Sequence, residues 1–322
     1  MKRILMSRGA RKIVEICVGV KPLETVAIIT EPSKLTIAET IASIVYEIGA
    51  EPVITVMIPR EVDSEEPPKC IAEMMKASDA FISVVSKSIT HTHAVKDAIK
   101  NGSRGVVLTQ FSDEMLIHGG LEADFEAIAP ICNTMAKKLE NSKEVVLTTA
   151  NGTNLRYSAS GRRGNALYCM VEKGQFSTVP TVEANVSPLE GTANGVVIAD
   201  GSIPYLGIGV LDEPVKLIIE NGFITSIYGG RQAKILEEDL RKKNDPNVYN
   251  VAEMGVGLNP CCKFMGFMLE DEGVYGSVHI GIGTSITLGG TVKASCHYDL
   301  IMKDATIVAD GEVLMEEGKV MF

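Results

Sequence analysis

Residues 25–58 read TVAIITEPSKLTIAETIASIVYEIGAEPVITVMI, and this stretch decides the fold class. A six-residue β-branched run, TVAIIT (25–30), gives way to a helical pattern from Lys34 to Gly49, and then to a second apolar run, PVITVMI (52–58). Apolar runs of strand length separated by helix-length amphipathic segments are the mark of parallel strands joined by crossover helices. The rhythm continues with Pro68–Ala77 as helix, AFISVV (80–85) as strand, HAVKDAIKNG (93–102) as helix ending at a glycine, and GVVLT (105–109) as strand. An α/β, Rossmann-like parallel-sheet domain is predicted over residues 1–143. No GxGxxG follows the first strand and no GxxxxGK[ST] occurs, so neither a dinucleotide nor a nucleoside triphosphate site is expected.

Residues 121–142 read as helix, and from Glu144 the texture changes to short strands divided by glycine-rich turns: EVVLTTANGTNLRYSASGR, GVVIADGSIPYLGIG, VKLIIENGFITSIYGG. Asn151-Gly152 and Asn221-Gly222 are hairpin signals, because both central residues of a tight type I′ turn need positive φ. A second, α+β and mainly antiparallel domain is predicted over 144–322, with one helix near 231–243.

The chain has 322 residues, 45% hydrophobic and 22% charged, with a formal net charge of -10. An acidic surface repels phosphates, so no nucleic acid or anionic membrane partner is expected, and small molecules or short peptides fit better. The opening residues spread Lys2, Arg3, Arg8, Arg11 and Lys12 among apolar positions, which leaves no signal-like apolar core and predicts an amphipathic helix. No run of 18 apolar residues suggests a membrane span. The seven cysteines form no CxxC pair, and an odd, scattered set argues for a reducing, cytoplasmic setting.

Two of the five histidines fall on closing strands, in Gly276-Ser277-Val278-His279-Ile280-Gly281 and Cys296-His297-Tyr298-Asp299. Strand residues i and i+2 share a face, so His297 and Asp299 project together as half of a metal site, or as a plain histidine–carboxylate contact. Glu253, within VAEMGVGLNP, is costly to bury without a cation, and Glu183 and Glu190 punctuate VPTVEANVSPLEGTANG in the same way. Each acid taken singly could equally be hydrated. His279 could be a satisfied core residue. His91 and His93, two apart at a helix start, do not share a helix face, and Thr90 or Thr92 fits a capping role there. Arg156, Arg162 and Arg163 could orient a substrate carboxylate or lie in solvent.

Read in order, five segments resemble the motifs of the thermophilic metallo-aminopeptidases, the aminopeptidase T and S type. These are Thr178-Val179-Pro180-Thr181-Val182-Glu183, Ser187-Pro188-Leu189-Glu190-Gly191-Thr192-Ala193-Asn194-Gly195, Ala252-Glu253-Met254-Gly255-Val256-Gly257-Leu258-Asn259-Pro260, His279-Ile280-Gly281-Ile282-Gly283 and His297-Tyr298-Asp299. The resemblance implies that Glu183, Glu253, His279, His297 and Asp299 are metal ligands holding one or two divalent ions (Zn, Co or Mn). It implies a homodimer and, as leading expectation, a hydrolase attacking a peptide or small amide through metal-activated water. Glu190, close in sequence to Glu183, is the candidate proton shuttle to the leaving amine. The tyrosine ligand that follows the first histidine in those peptidases has no counterpart in Gly283-Thr284-Ser285-Ile286. The same superfamily includes the 2,5-dihydroxypyridine dioxygenases, whose ending resembles Cys296-His297-Tyr298-Asp299-Leu300-Ile301-Met302-Lys303. This second reading implies one Fe(II) held by His279, His297 and Asp299. A non-catalytic metal-binding relative is the third.

Overall fold

The computed structural model describes residues 2–322. The chain forms two compact units, one running to Phe125 and including Leu167–Pro180, the other made of Glu126–Ala166 and Thr181–Phe322.

The first unit is built on a five-stranded parallel sheet in the order Glu51–Val56, Thr25–Thr30, Ala80–Val85, Arg104–Thr109, Phe176–Thr178. Its central strand Ala80–Val85 is buried at every position, whereas the edge strand Glu51–Val56 is largely open. A parallel sheet covered on both faces needs apolar side chains at consecutive positions, which is why AFISVV does not alternate. Pro52 is tolerated on the edge strand, where a missing N–H costs least. The expected helices form at Leu35–Glu47, Lys69–Ala77 and His93–Lys100, and the last is capped by the Thr92 hydroxyl accepting from the Val95 N–H. The opening helix covers Lys2–Lys12. No helix among the described residues is long and apolar enough to cross a membrane. The parallel sheet also takes a strand, Phe176–Thr178, from sequence well beyond the first four.

In the second unit, an eight-stranded antiparallel sheet runs Phe223–Tyr228, Val215–Glu220, Asn194–Ala199, Asn154–Tyr157, Val145–Thr148, Thr306–Ala309, Glu312–Glu316, Lys319–Val320. Both Asn-Gly signals lie at hairpin turns of this sheet, and Asn221 and Gly222 adopt φ of 51° and 81°, as a type I′ turn demands. The helix Arg231–Lys242 interrupts the strands where expected. A further sheet has the order His297–Met302, Val278–Gly283, Val251–Gly257, Val182–Val186, Gly164–Tyr168, and the first four of these strands carry the site.

Candidate metal centre

Alternation divides the four strands into two chemistries. Ala184, Val186, Met254, Val256, Ile280, Ile282, Leu300 and Met302 are all fully buried and face one way. Glu183, Glu253, His279, His297 and Asp299 occupy the alternate positions and face the other. Opposite these polar residues the neighbouring strands carry glycine: Gly255 pairs with His279, Gly257 with Glu183, Gly281 with both Glu253 and Asp299, and Gly283 with His297. At Gly255 and Gly281 the reason is space for the site side chains. A Cβ at Gly255 would lie 2.1 Å from Nε2 of His279, and one at Gly281 would lie 2.8 Å from both Cβ of Glu253 and the His297 ring. A register shift between Val251 and Glu253 marks a bulge at the end of this strand, a common device for re-aiming a side chain beside a site.

Two triads result, Glu183/Glu253/His279 and Glu253/His297/Asp299. Nε2 of His279 lies 3.5 Å from Oε2 of Glu183 and 3.9 Å from Oε1 of Glu253. Nε2 of His297 lies 3.0 Å from Oε2 of Glu253 and 3.3 Å from Oδ1 of Asp299. The structure therefore brings together all five residues singled out in the sequence, but it places the two histidines in different triads. A set of His279, His297 and Asp299 alone is not the grouping that forms.

The donor set fits a divalent cation. Metal–ligand bonds of about 2.0–2.2 Å set adjacent ligand atoms roughly 3.0–3.5 Å apart, close to the separations found. Oε2 of Glu183 and Oδ1 of Asp299 are buried without a hydrogen-bond partner, where a buried acceptor ordinarily has one. Nδ1 of His297 faces the Thr284 carbonyl at 2.9 Å, so in the neutral ring Nδ1–H donates there and the Nε2 lone pair faces Glu253 and Asp299. A lone pair aimed at two carboxylates is stable only with a cation between them, whether proton or metal.

Protonation behaviour in the cation-free protein follows the same logic. Burial opposes charge on His279, but the hydrogen bond to Glu253 and the charges of Glu183, Asp299 and Glu253 outweigh it and raise the imidazole to about 9. Burial likewise opposes charge on His297, and Asp299 and Glu253 carry it well above the ordinary histidine value. For Asp299 burial is overcome by His297, His279 and the Tyr205 hydroxyl, which hold the carboxyl well below its ordinary range. Burial raises Glu183 to about 7 despite His279. Three carboxylates share two imidazoles, an excess of negative charge suited to a dication.

Sequence reading missed the residues around this cluster. The Tyr205 hydroxyl donates to Oδ2 of Asp299 at 2.6 Å and lies 3.2 Å from Oε1 of Glu272. Burial, with the nearby charges of Asp299, Glu183 and Glu253, pushes Glu272 well above the ordinary carboxyl range. Asn185 Nδ2 donates to Oε1 of Glu183 at 2.9 Å, and Asn165 donates to Asn185 at 2.8 Å. Leu269, Glu270, Asp271 and Glu272 are all buried, although three of them are acidic. The one sequence signal for Asn185 is its place two residues after Glu183, on the same strand face.

Glu190 is engaged elsewhere. Its carboxylate accepts from Arg162, and from the Thr291 N–H and hydroxyl at 2.8 and 2.9 Å. Arg162 is buried and also donates to the Gly289 carbonyl, while Arg156 pairs with Glu144 on the surface and Arg163 donates to Asn165. His91 and His93 are exposed helix-start residues of the first unit, and His118 is exposed beside Glu122. Burial and the nearby acids push the Cys262 thiol well above its ordinary value, and no cysteine enters either triad.

Comparison with known proteins bears on what such a centre does. A 29% identical stretch of 160 residues aligns with the 2,5-dihydroxypyridine 5,6-dioxygenase of Pseudomonas putida KT2440, covering 47% of this chain and 46% of that protein. The matched stretch thus spans about half the length of the curated relative. The solved structure of 2,5-dihydroxypyridine dioxygenase from the same organism superposes with a TM-score of 0.84 at 17% identity, over 99% of this chain and 97% of that one. Wild-type AmpT from Thermus thermophilus superposes with a TM-score of 0.72 at 15% identity over the full length of both. At these identities the structural likenesses speak to fold alone. The family model for 2,5-dihydroxypyridine 5,6-dioxygenase (NicX) matches residues 6–322, and the chain belongs to that family.

Proposed function

We propose that this chain is a metal-dependent ring-cleaving dioxygenase acting on a small hydroxylated aromatic or N-heterocyclic substrate. The observation that carries the reading is the family match across residues 6–322. It reverses the ranking drawn from the motifs, in which amide hydrolysis led. Glu253, His297 and Asp299 would hold the ion, and a bound Fe(II) would supply open coordination positions for oxygen and substrate. The protein's own contribution is orientation and proton handling. Thr284 fixes the His297 ring through Nδ1, and Tyr205 and Glu272 surround Asp299. Oε2 of Glu183, buried without a hydrogen-bond partner, would accept a proton leaving a substrate hydroxyl.

One observation favours a second reading. Glu253 belongs to both triads, the arrangement a pair of ions would use, and a two-ion centre suits amide hydrolysis. On that reading Zn, Co or Mn would be bound, with short peptides as substrates and a homodimer as the assembly.

The test is protein purified without chelator under exclusion of oxygen, assayed for metals and then for oxygen uptake with 2,5-dihydroxypyridine and for hydrolysis of dipeptide amides. One iron per chain and substrate-dependent oxygen uptake is the expected result. Two ions per chain with amide cleavage and no oxygen uptake would replace the dioxygenase reading by the hydrolase one.

A further inference from the structure

We propose that Tyr205 is a positioning residue that restricts Asp299 to one ligating oxygen, Oδ1, and so keeps open the coordination position that a second carboxylate oxygen would fill. The proposal rests on the metal-centre reading above, and deepens it by giving a role to a residue outside both triads.

The two oxygens of Asp299 have different surroundings. Oδ2 accepts the Tyr205 hydroxyl at 2.6 Å, within the range of a charge-assisted O–H···O⁻ bond. Oδ1 is buried, has no hydrogen-bond partner and lies 3.3 Å from Nε2 of His297. A carboxylate with two equivalent oxygens can chelate an ion through both, or rotate between them. Loss of one oxygen to a strong hydrogen bond removes that freedom and aims the other at the shared ion.

Tyr205 is itself held in place. It follows the short strand Ser202–Ile203, and its N–H donates to the Ile203 carbonyl at 2.8 Å. The next two residues, Leu206 and Gly207, both have positive φ (58° and 69°), turning the chain sharply just after the tyrosine. Such a conformation is uncommon for leucine and persists only where surrounding structure enforces it. The ring packs on Tyr298, centroid to centroid 5.0 Å at 42°, and only 9% of Tyr205 is exposed. Tyr298 sends its own hydroxyl to Oδ2 of Asp239 at 3.0 Å, so two stacked tyrosines serve different acids and one of them is a control for the other.

The experiment titrates Co²⁺ into chelator-stripped wild-type protein, Tyr205→Phe and Tyr298→Phe, following affinity and the visible absorption of the bound ion. Tyr205→Phe is expected to bind about 10–100-fold more weakly, the usual cost of removing a partner that orients a ligand. Its visible bands should also lose intensity as Asp299 adds its second oxygen. Tyr298→Phe should match wild type in both readouts. Wild-type affinity and an unchanged spectrum in Tyr205→Phe would overturn the proposal and leave the metal centre standing. Failure of wild type to bind Co²⁺ would remove both. Should Tyr205→Phe not fold, the structure of Co²⁺-loaded wild type decides. Asp299 bound through Oδ1 alone, with Tyr205 on Oδ2, supports the proposal, and two bound oxygens or a displaced Tyr205 overturns it.

Discussion

Glu253 sets Oε2 3.0 Å from Nε2 of His297 while its Oε1 lies 3.9 Å from Nε2 of His279, so one carboxylate spans both halves of the site. Its side chain is the point on which single-ion and two-ion chemistry diverge.

Replacement of Glu253 should therefore be more damaging than replacement of Glu183. Glu253→Gln is expected to weaken metal binding by more than ~100-fold, since even partners that merely orient a ligand cost about 10–100-fold. If one ion binds at Glu253/His297/Asp299, Glu183→Gln should retain metal stoichiometry. Elemental analysis of both variants after dialysis checks this, and equal metal loss in the two would point to a two-ion centre.

Gly255→Ala should damage the site through space alone. The added methyl would meet Nε2 of His279 at 2.1 Å, too close for any non-bonded pair, and the ring is buried. Overpacking of this kind costs about 1–3 kcal/mol. A lower unfolding temperature together with loss of bound metal is expected, and a variant with wild-type stability and metal content would contradict the geometry.

The metal-free protein should lose stability as pH rises. His279 is raised from its ordinary 6.5 to about 9, so the folded state holds a proton that the unfolded state releases between those values. Its stabilising contribution is complete below about 6.5 and disappears as pH passes 9. Glu183, raised to about 7, acts in the same direction over the range above its ordinary 4.5. Metal affinity should also increase as pH rises, because His297, raised well above its ordinary value, must give up its proton to ligate. Thermal unfolding from pH 6 to 9.5, with and without metal, reads both trends, and a metal-free protein that becomes more stable toward pH 9 would refute the charge assignment.

Glu190→Gln should behave as a stability variant. Arg162 is buried against this carboxylate, and loss of one partner of a buried ion pair costs ~3–5 kcal/mol, somewhat less here because 28% of the Glu190 side chain is exposed. Denaturant unfolding should show the loss, with metal content unchanged. Loss of turnover at unaltered stability would instead return Glu190 to a proton-shuttle role.

Local pattern alone was enough for much of this protein. Consecutive β-branched positions, as in AFISVV, can be accommodated only where both faces of a strand are covered, so the parallel sheet was legible at residues 25–109. The Asn-Gly pairs identified hairpins, and two-residue periodicity put His297 beside Asp299 on one face. The five candidate ligands were legible because carboxylates and imidazoles in apolar strands need a cation to be buried, and because their motifs resemble a known order. What only the tertiary structure decided is how those residues divide. Register sets His279 opposite Gly255 and Glu253 opposite Gly281, which separates the two histidines and gives Glu253 to both triads. Strand pairing depends on packing between segments far apart in the chain, and no local period encodes it. The same holds for Tyr205 and Glu272, which reach Asp299 from loops, and for the acidic run 270–272, whose burial follows from the structure folded over it.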